Sequence, residues 1–453
     1  MTLVGPVILL VVLISAQPIH GALSKLLAPA DMVDDLEFLE TTIRQVHPEP
    51  FHAVGVDTFV RSFVQARRSV EEPKPIEAFY YLTLSLAALL EDSHTTLLFE
   101  HESNELPLRF WWSQDGLVVA GATARIDVEP GWLVRELGGQ TPEEILSKAD
   151  AVFPTENEHN LKNRTARQLH SGSFLHQIGA VVDGHVELTF CRNDECLVTA
   201  VPLSVPVTVN SLVPLRPAWG WRIVDEEDIG VFFLDSADQK EGYSAELQRF
   251  FRAVVEHGIE HVVLDLRWNV GGTVDVIPEF LRFFPEQRIE GYAGEIRYSQ
   301  QAAQQRGYEE TTGVERVSHL TRLFGGYTMN LPPRPLDTPS YEGQLYLLTS
   351  PMTAGTAHWF AVVIQDNDLG IVAGEPTGQR PTGYGDSLEF TLPNSGLLLT
   401  VAHKRYVRPH PNRDPSDSLY PDWELPITAA DVATDSDLQM ERLLDQIRIN
   451  AGQ

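Results

Sequence analysis

The sequence predicts an α/β protein that begins helical, turns β-rich in the middle and ends in a layer of alternating strands and helices. Three observations lead there. Apolar residues recur at helical spacing between residues 31 and 92; short alternating strands with turn residues fill about 106–214; strand and helix patterns alternate beyond Trp219. Strand–helix alternation of the last kind argues for a largely parallel sheet.

The chain opens on its only long, nearly continuous apolar segment, Leu3 and Val4 followed by Pro6 to Ala16. It is short for a membrane span and is placed like a signal-peptide core. Residues 1–22 are therefore expected to be a secretion signal, cleaved after Ala16 or Ala22. The lack of Lys or Arg before it keeps an uncleaved anchor as the alternative. The expected location is secreted, periplasmic or otherwise extracytoplasmic.

A helical cap is expected over 31–100. Leu36, Leu39, Ile43 and Val46 mark its first helix and Pro48 its stop; further helical turns run from about Asp57 to Arg68 and from Pro75 to Leu90. A β-rich region follows over 105–214. In it "GWLVRELGGQTPEEIL" has the order strand, Gly-Gly turn, strand start and helix cap, an order that PDZ modules share with many small β domains. Cys191 and Cys196 flank "RNDE" within an alternating pattern, which places them opposite each other near a hairpin turn. There they can pair in an oxidising compartment or remain two small unpaired hydrophobes. Asn163-Arg164-Thr165 is an N-glycosylation sequon. The region 215–450 carries strands "IGVFFLD", "HVVLDLR", "QLYLLTS" and "LGIVAGE", with helices between them.

Composition narrows the function. At 453 residues, 43% hydrophobic and 21% charged, the chain can bury a large core. Its net charge of −29 supplies no basic excess for displacing phosphate counterions, so a nucleic-acid partner is not expected. No cofactor and no metal is expected either. His47 and His52 of "HPEPFH" resemble metal ligands, but Pro48 and Pro50 between them read better as a helix stop.

Chemistry gathers at two strand-to-helix turns and one helix break. In "LDLRWNVGG" the pair Gly271 and Gly272 follows a buried strand, where uncovered backbone N–H groups suit an oxyanion hole; a plain Gly-Gly turn is the competing reading. In "SPMTAGTAHWFA", residues 350–361, Thr353 is a natural N-cap and the first N–H groups of the next helix can hold a developing oxyanion. His358 one turn on reads as an ordinary half-buried histidine. In "LLEDSHTTLLF" Asp92 and His94 sit where a long apolar helix breaks, a position from which His94 can act as general base.

Together these pieces resemble the tail-specific, or carboxyl-terminal processing, serine protease family, with its tricorn-core and chlamydial-type relatives. "HPEPF", "LEDSHT", "VVLDLRWNVGG", "TAGTAHWFAVVIQDN", "GIVAGEPTG" and "LYPDWEL" occur in family order over nearly the whole chain after the leader. The resemblance implies a crotonase-like ββα core over about 215–450, the helical cap, and a PDZ-like or β insertion. It also implies peptide or unfolded-protein substrates. The family nucleophile is a serine three positions before His358, and here that position is Gly355. Many members place a base lysine 25 residues further on, which here is Arg380, a side chain that stays protonated. A second branch uses a histidine of the D-x-H segment, matched by His94, with a late carboxylate, matched by Asp414 or Asp417. Gly271 or Gly272 and the N–H of Thr356 match the oxyanion donors.

The resemblance thus implies a hydrolase site without its attacking oxygen. Losing a triad nucleophile leaves about 10³ to 10⁴-fold catalysis over water, too little for a useful protease. The leading expectation is an exported peptidase-fold protein that binds peptide tails or unfolded chains with lost or altered catalysis. The alternatives are an active hydrolase using Thr356, Thr353 or Ser350, an ordinary active enzyme in which Gly355 is a change from serine, and a non-catalytic exported binding protein. The last, in its carbohydrate-binding form, would be marked by an exposed aromatic groove remote from His94.

Overall fold

The computed structural model describes residues 25–451 apart from 100–103, 124–125, 207, 210–211, 225–227, 239–240, 308–319, 325–328, 339 and 414–416. The expected signal, residues 1–22, lies outside the described residues.

The chain begins with β1 (Leu26–Leu27), α1 (Pro29–Val46), α2 (Val56–Ser69), β2 (Lys74–Pro75), α3 (Ile76–Ala88) and β3 (Thr96–Leu98). Pro29 opens α1 with a preset φ and no wasted donor, and the His47-Pro48 step ends it because the residue before proline leaves the helical region. The expected apolar stripe of Leu36, Leu39, Ile43 and Val46 is buried.

Next come β4 (Leu108–Ser113), β5 (Gly116–Ala122), β6 (Leu133–Leu137), α4 (Pro142–Asp150), α5 (Glu158–Gln168), α6 (Gly172–Gln177), β7 (His185–Arg192) and β8 (Glu195–Pro202). The five strands form an antiparallel sheet in sequential order. Cys191 and Cys196 face each other across the β7–β8 hairpin and are joined by a disulfide. Between β6 and β7 the chain is helical; α4 begins where Thr141 and Glu144 cap each other's backbone N–H groups, and α5 where Asn157 caps Asn160. Alternation had pointed to strands through this region, but Leu161, Thr165 and Ala166 bury one face of α5 at helical spacing.

The remainder holds β9 (Trp219–Val224), β10 (Ile229–Leu234), α7 (Tyr243–Glu256), β11 (His261–Asp265), α8 (Val276–Leu281), β12 (Ala293–Arg297), α9 (Gln300–Arg306), β13 (Leu320–Phe324), β14 (Gln344–Thr349), α10 (Thr356–Asp366), β15 (Ile371–Gly374), β16 (Gly383–Thr391), β17 (Leu398–Val407), β18 (Trp423–Glu424), α11 (Ala429–Val432) and α12 (Leu438–Ala451). One sheet runs β18-β15-β14-β11-β10-β9, parallel except for β9. Val262, Val263 and Leu264 of β11 are buried on both faces, as an interior parallel strand requires. A second sheet runs β13-β12-β17-β16, and β3 pairs with β17.

Two sets of contacts tie the molecule together. The helices α1 to α3 and the first antiparallel sheet share one apolar core, into which Leu388, Leu399 and Val401 of β16 and β17 also pack. On the parallel sheet, Phe250, Phe251, Phe280 and Phe360 from α7, α8 and α10 fill one side, and Met440, Leu443 and Ile447 of α12 the other. The fold is therefore mixed α/β with several sheets. Among the described residues no helix is long and apolar enough to cross a membrane.

Phe250 is fully buried, with the rings of Phe251, Phe232 and Trp221 centred 5.1, 5.4 and 5.8 Å away. Phe250→Ala is expected to lower stability by about 3–5 kcal/mol, read as a shifted midpoint in urea unfolding at an unchanged slope.

Candidate active site

The site is built where the loop after β11 meets the turn between β14 and α10. Four hydrogen bonds clasp them. Ser350 Oγ donates to the Arg267 carbonyl at 2.5 Å, Thr353 Oγ1 to the Leu266 carbonyl at 3.0 Å, the Ala354 N–H to the Asn269 carbonyl at 3.0 Å and Thr356 Oγ1 to the Gly272 carbonyl at 2.7 Å. Ser350, Thr353 and Thr356 are all buried. Asn269 completes the loop, donating through Nδ2 to the Leu234 carbonyl at 2.9 Å and accepting from the Gly271 N–H at 2.8 Å.

Gly355 stands at the apex with φ +53° and ψ −127°, a region that costs other residues strain. Its N–H donates to Gln379 Oε1. A Cβ at this position would lie 3.1 Å from Gly271 Cα and 3.3 Å from the Val270 carbonyl oxygen, so it would touch the glycine loop directly. Gly272, at φ +132°, admits no side chain, because a Cβ there would meet Ala237 C at 2.4 Å. The two glycines differ in what they offer an oxyanion. The Gly271 N–H is taken by Asn269, so the donors best placed to serve are those of Gly272 and of Thr356, the first residue of α10, whose N–H has no partner within the helix.

His94 reaches this place from the other half of the molecule. The segment after α3 pairs with β17 through β3, and the His94 carbonyl accepts from Ser387 Oγ at 2.8 Å and Thr400 Oγ1 at 3.0 Å. Its ring, with 32% of the side chain exposed, lines one cleft of about 310 Å³ together with Gly271, Gly272, Gly355 and Thr356. Glu156, His358, Trp359, Gln379, Tyr384 and Tyr406 also line it.

Behind the imidazole lie two buried carboxylates. His94 Nδ1 is 3.6 Å from Asp92 Oδ1 and 3.8 Å from Glu156 Oε1. Asp92 is fixed by the His94 N–H at 2.9 Å, Thr95 Oγ1 at 2.6 Å and His47 Nε2 at 3.3 Å; Glu156 accepts from Ser93 Oγ at 2.5 Å and the Arg380 N–H at 2.9 Å. Burial works to raise the Asp92 carboxyl, but His47 and His94 outweigh it and hold it well below the usual range. Burial raises the Glu156 carboxyl, offset in part by the charge of His94. For His94 itself burial disfavours the charged ring, yet Asp92 and then Glu156 lift its pKa above the ordinary value. His358 has no such partner: it is buried, its Nδ1 lies 2.9 Å from Thr377 Oγ1, and burial pushes it down to about 3.

Of the described carboxylates, the two at His94 are Asp92, two residues before it, and Glu156 from just before α5. Asp417 is exposed and its backbone carbonyl accepts from Asn157 Nδ2 at 2.9 Å, away from the cleft lining; Asp414 lies outside the described residues. Glu156 had no signal of its own in the sequence, since nothing in "FPTENEH" distinguishes it from a solvated acid. Arg380, which also lines the cleft, pairs with Glu91 at 2.7 Å. His47, a helix stop by sequence, is in fact the outer member of the Asp92 chain. Asp92, His94 and Glu156 also bring ligand-type atoms within 4.8 Å of one another. Their carboxylate oxygens already accept the donors named above, so the arrangement is best suited to orienting an imidazole.

Residues 228–425 match the model of peptidase family S41. The match covers less than half of the chain and marks this stretch as similar to that family. The matched stretch spans the glycine loop, the 350–356 turn and the Gln379 segment, while His94 and Glu156 come from outside it. None of the curated proteins matches the chain in sequence. Among solved structures, the chain is similar to mature CPAF complexed with lactacystin, at 15% identity and a TM-score of 0.68 over 93% of this chain and 98% of that one. A putative peptidase from Parabacteroides merdae matches at 15% identity and a TM-score of 0.50 over 92% of this chain and 96% of that one. At such identities the likeness is one of fold.

Two outcomes follow from the clasp and the electrostatics. Thr353→Ala strips a donor from the Leu266 carbonyl and an acceptor from the Ser350 N–H, 3.0 Å away, and is expected to cost about 1–3 kcal/mol in thermal unfolding. The two cleft histidines are expected to titrate in opposite senses by NMR. His94, raised on folding, contributes stability below its unfolded pKa that is lost as pH rises through the folded value. His358, depressed, contributes stability above about 6.5 that is lost as pH falls toward about 3. A His358 signal that titrates near neutrality would contradict this structure.

Proposed function

We propose that this protein binds peptide tails or unfolded polypeptide in a serine-peptidase cleft without hydrolysing them. The observation that carries the reading is the state of every hydroxyl near the apex. Position 355 has none, and those of Ser350, Thr353 and Thr356 each donate to a carbonyl of the 266–272 loop. Freeing any of them to attack a peptide would remove a bond of the clasp that forms the oxyanion site.

The other parts of the site favour binding. The Gly272 N–H and the start of α10 suit a peptide carbonyl or a terminal carboxylate. Val270 and Val274 are exposed at the rim beside Trp359 and Tyr406, and offer an extended chain an apolar surface. The Cys191–Cys196 disulfide supports an extracytoplasmic location. We read 31–100 as a helical cap, 105–214 as a PDZ-like insertion and 215–450 as a crotonase-like core. Support for these assignments comes from the three helices α1 to α3, the antiparallel sheet β4 to β8 and the succession of parallel strands and helices from β10 to β15.

The test compares the natural chain, Gly355→Ser and His94→Ala for casein turnover, casein binding and labelling by a fluorophosphonate. The natural chain is expected to bind casein and to give no turnover or labelling. Gly355→Ser is expected to lose about 1–3 kcal/mol of stability from its positive φ and tight Cβ, and to gain labelling that His94→Ala removes in the double variant. Turnover by the natural chain, abolished in His94→Ala, would sink the proposal.

A further inference from the structure

The turn after β15 carries a buried acid that the His94 cleft does not use. Glu375 is 9% exposed and stands in the wall of a second cavity, of about 300 Å³, which shares no lining residue with that cleft. The wall lies where the first antiparallel sheet meets the core. Trp111 of β4, which also lines the cavity, packs in one apolar cluster with Trp268 and Ile427.

The two oxygens of Glu375 are served unequally. Oε1 accepts one hydrogen bond, from the Ile427 N–H at 3.3 Å, while Oε2 has no partner and is closed off from solvent. The neighbouring cations are committed elsewhere: Arg267 is bonded to Asp265 and Asp437, and Arg442 pairs with Asp431 at 2.6 Å. An ionised carboxylate held in this place would be a buried charge answered by one long hydrogen bond. Such a group stays neutral or moves. Burial accordingly lifts the Glu375 carboxyl to about 7, and the Ile427 N–H, Arg267 and Arg442 offset it only in part.

The cavity supplies a way out of the wall. His159 and Lys162 of α5 and Glu424 of β18 face it, with the Lys162 ammonium already paired to Glu158 at 2.5 Å. Burial pushes His159 below its ordinary value, away from the range in which Glu375 changes charge. A Glu375 side chain that turned into the cavity would gain water and give up the Ile427 N–H. From Glu375 the chain runs on to Thr377 and Gln379, which hold His358 Nδ1 and the Gly355 N–H.

We propose that Glu375 is a proton-operated latch between the first antiparallel sheet and the core: protonated, it lies in the wall against Ile427, and ionised, it turns into the cavity and lets the wall open. It stands apart from the peptide-binding reading, because no residue lining the His94 cleft takes part in it.

The test titrates the full chain from about pH 5 to about pH 9 by tryptophan fluorescence, with Trp111 and Trp112 of the cavity wall as reporters, and follows hydrogen exchange at Ile427 by mass spectrometry. One transition centred near pH 7 is expected, with exchange at Ile427 on its alkaline side faster than the intrinsic pH dependence accounts for. Glu375→Gln, which keeps the shape and cannot ionise, is expected to remove both effects, and His159→Gln to leave both in place. Glu375→Met replaces the first variant if the amide does not fold. Stability moves in the same sense. The cost of burying Glu375 is absent below its ordinary value of 4.5, grows as the pH rises and is complete above about 7. The unfolding constant of the natural chain, relative to that of Glu375→Gln, is therefore expected to rise on the order of a hundredfold across that range in urea. Three outcomes overturn the proposal: the natural chain shows no transition near neutrality, the transition survives Glu375→Gln, or it vanishes in His159→Gln.

Discussion

The candidate site depends on the hydrogen-bonded clasp between the 266–272 loop and the 350–356 turn. Two neighbouring parallel strands, β11 and β14, end side by side, and the Leu266 N–H donates to the Leu348 carbonyl at 2.9 Å as the loop departs. From there the loop presents carbonyls to the turn, and Ser350, Thr353 and Thr356 donate to those of Arg267, Leu266 and Gly272. Each bond lost would loosen the clasp, so these hydroxyls are committed to structure.

An ion network anchors the same loop from below. Arg267 is buried, and its guanidinium bonds Asp265 at 2.9 Å, Asp437 at 2.5 and 2.8 Å and Gln439 at 3.1 Å, while Arg216 reaches Asp265 at 3.3 Å. The strand end is thereby tied to the start of α12. Gly355 can then keep its positive φ with Gly271 Cα packed against it, and the geometry around the apex is held without any side chain there. His94 is positioned separately, by β3 lying on β17 and by a buried His47–Asp92 pair.

Much of the architecture was legible because it is local. Helical spacing from Leu36 to Val46, the uninterrupted apolar run of β11 and the turn residues at 271–272 each leave a mark within a dozen residues. The helices between β6 and β7 were harder to see, since α5 is short and polar apart from the few side chains it buries. In the site, His94 and its neighbour Asp92 could be read at a helix break. Glu156 could not, because a carboxylate becomes special only when two other segments reach it and bring Ser93, Gln379 and the Arg380 N–H to its oxygens.

The sequence by itself determined most of the order of elements, the strand-to-helix turns and the absence of a side chain at position 355, because each follows from local pattern and residue chemistry. Tertiary structure alone decided how the remaining hydroxyls are used. Thr356 and Ser350 look like spare nucleophiles in a row of letters, and only the arrival of the 266–272 loop turns them into donors for backbone carbonyls. It likewise placed Asp92 and Glu156 beside the His94 ring, because an imidazole takes its charge from whichever carboxylates the fold sets within a few ångströms.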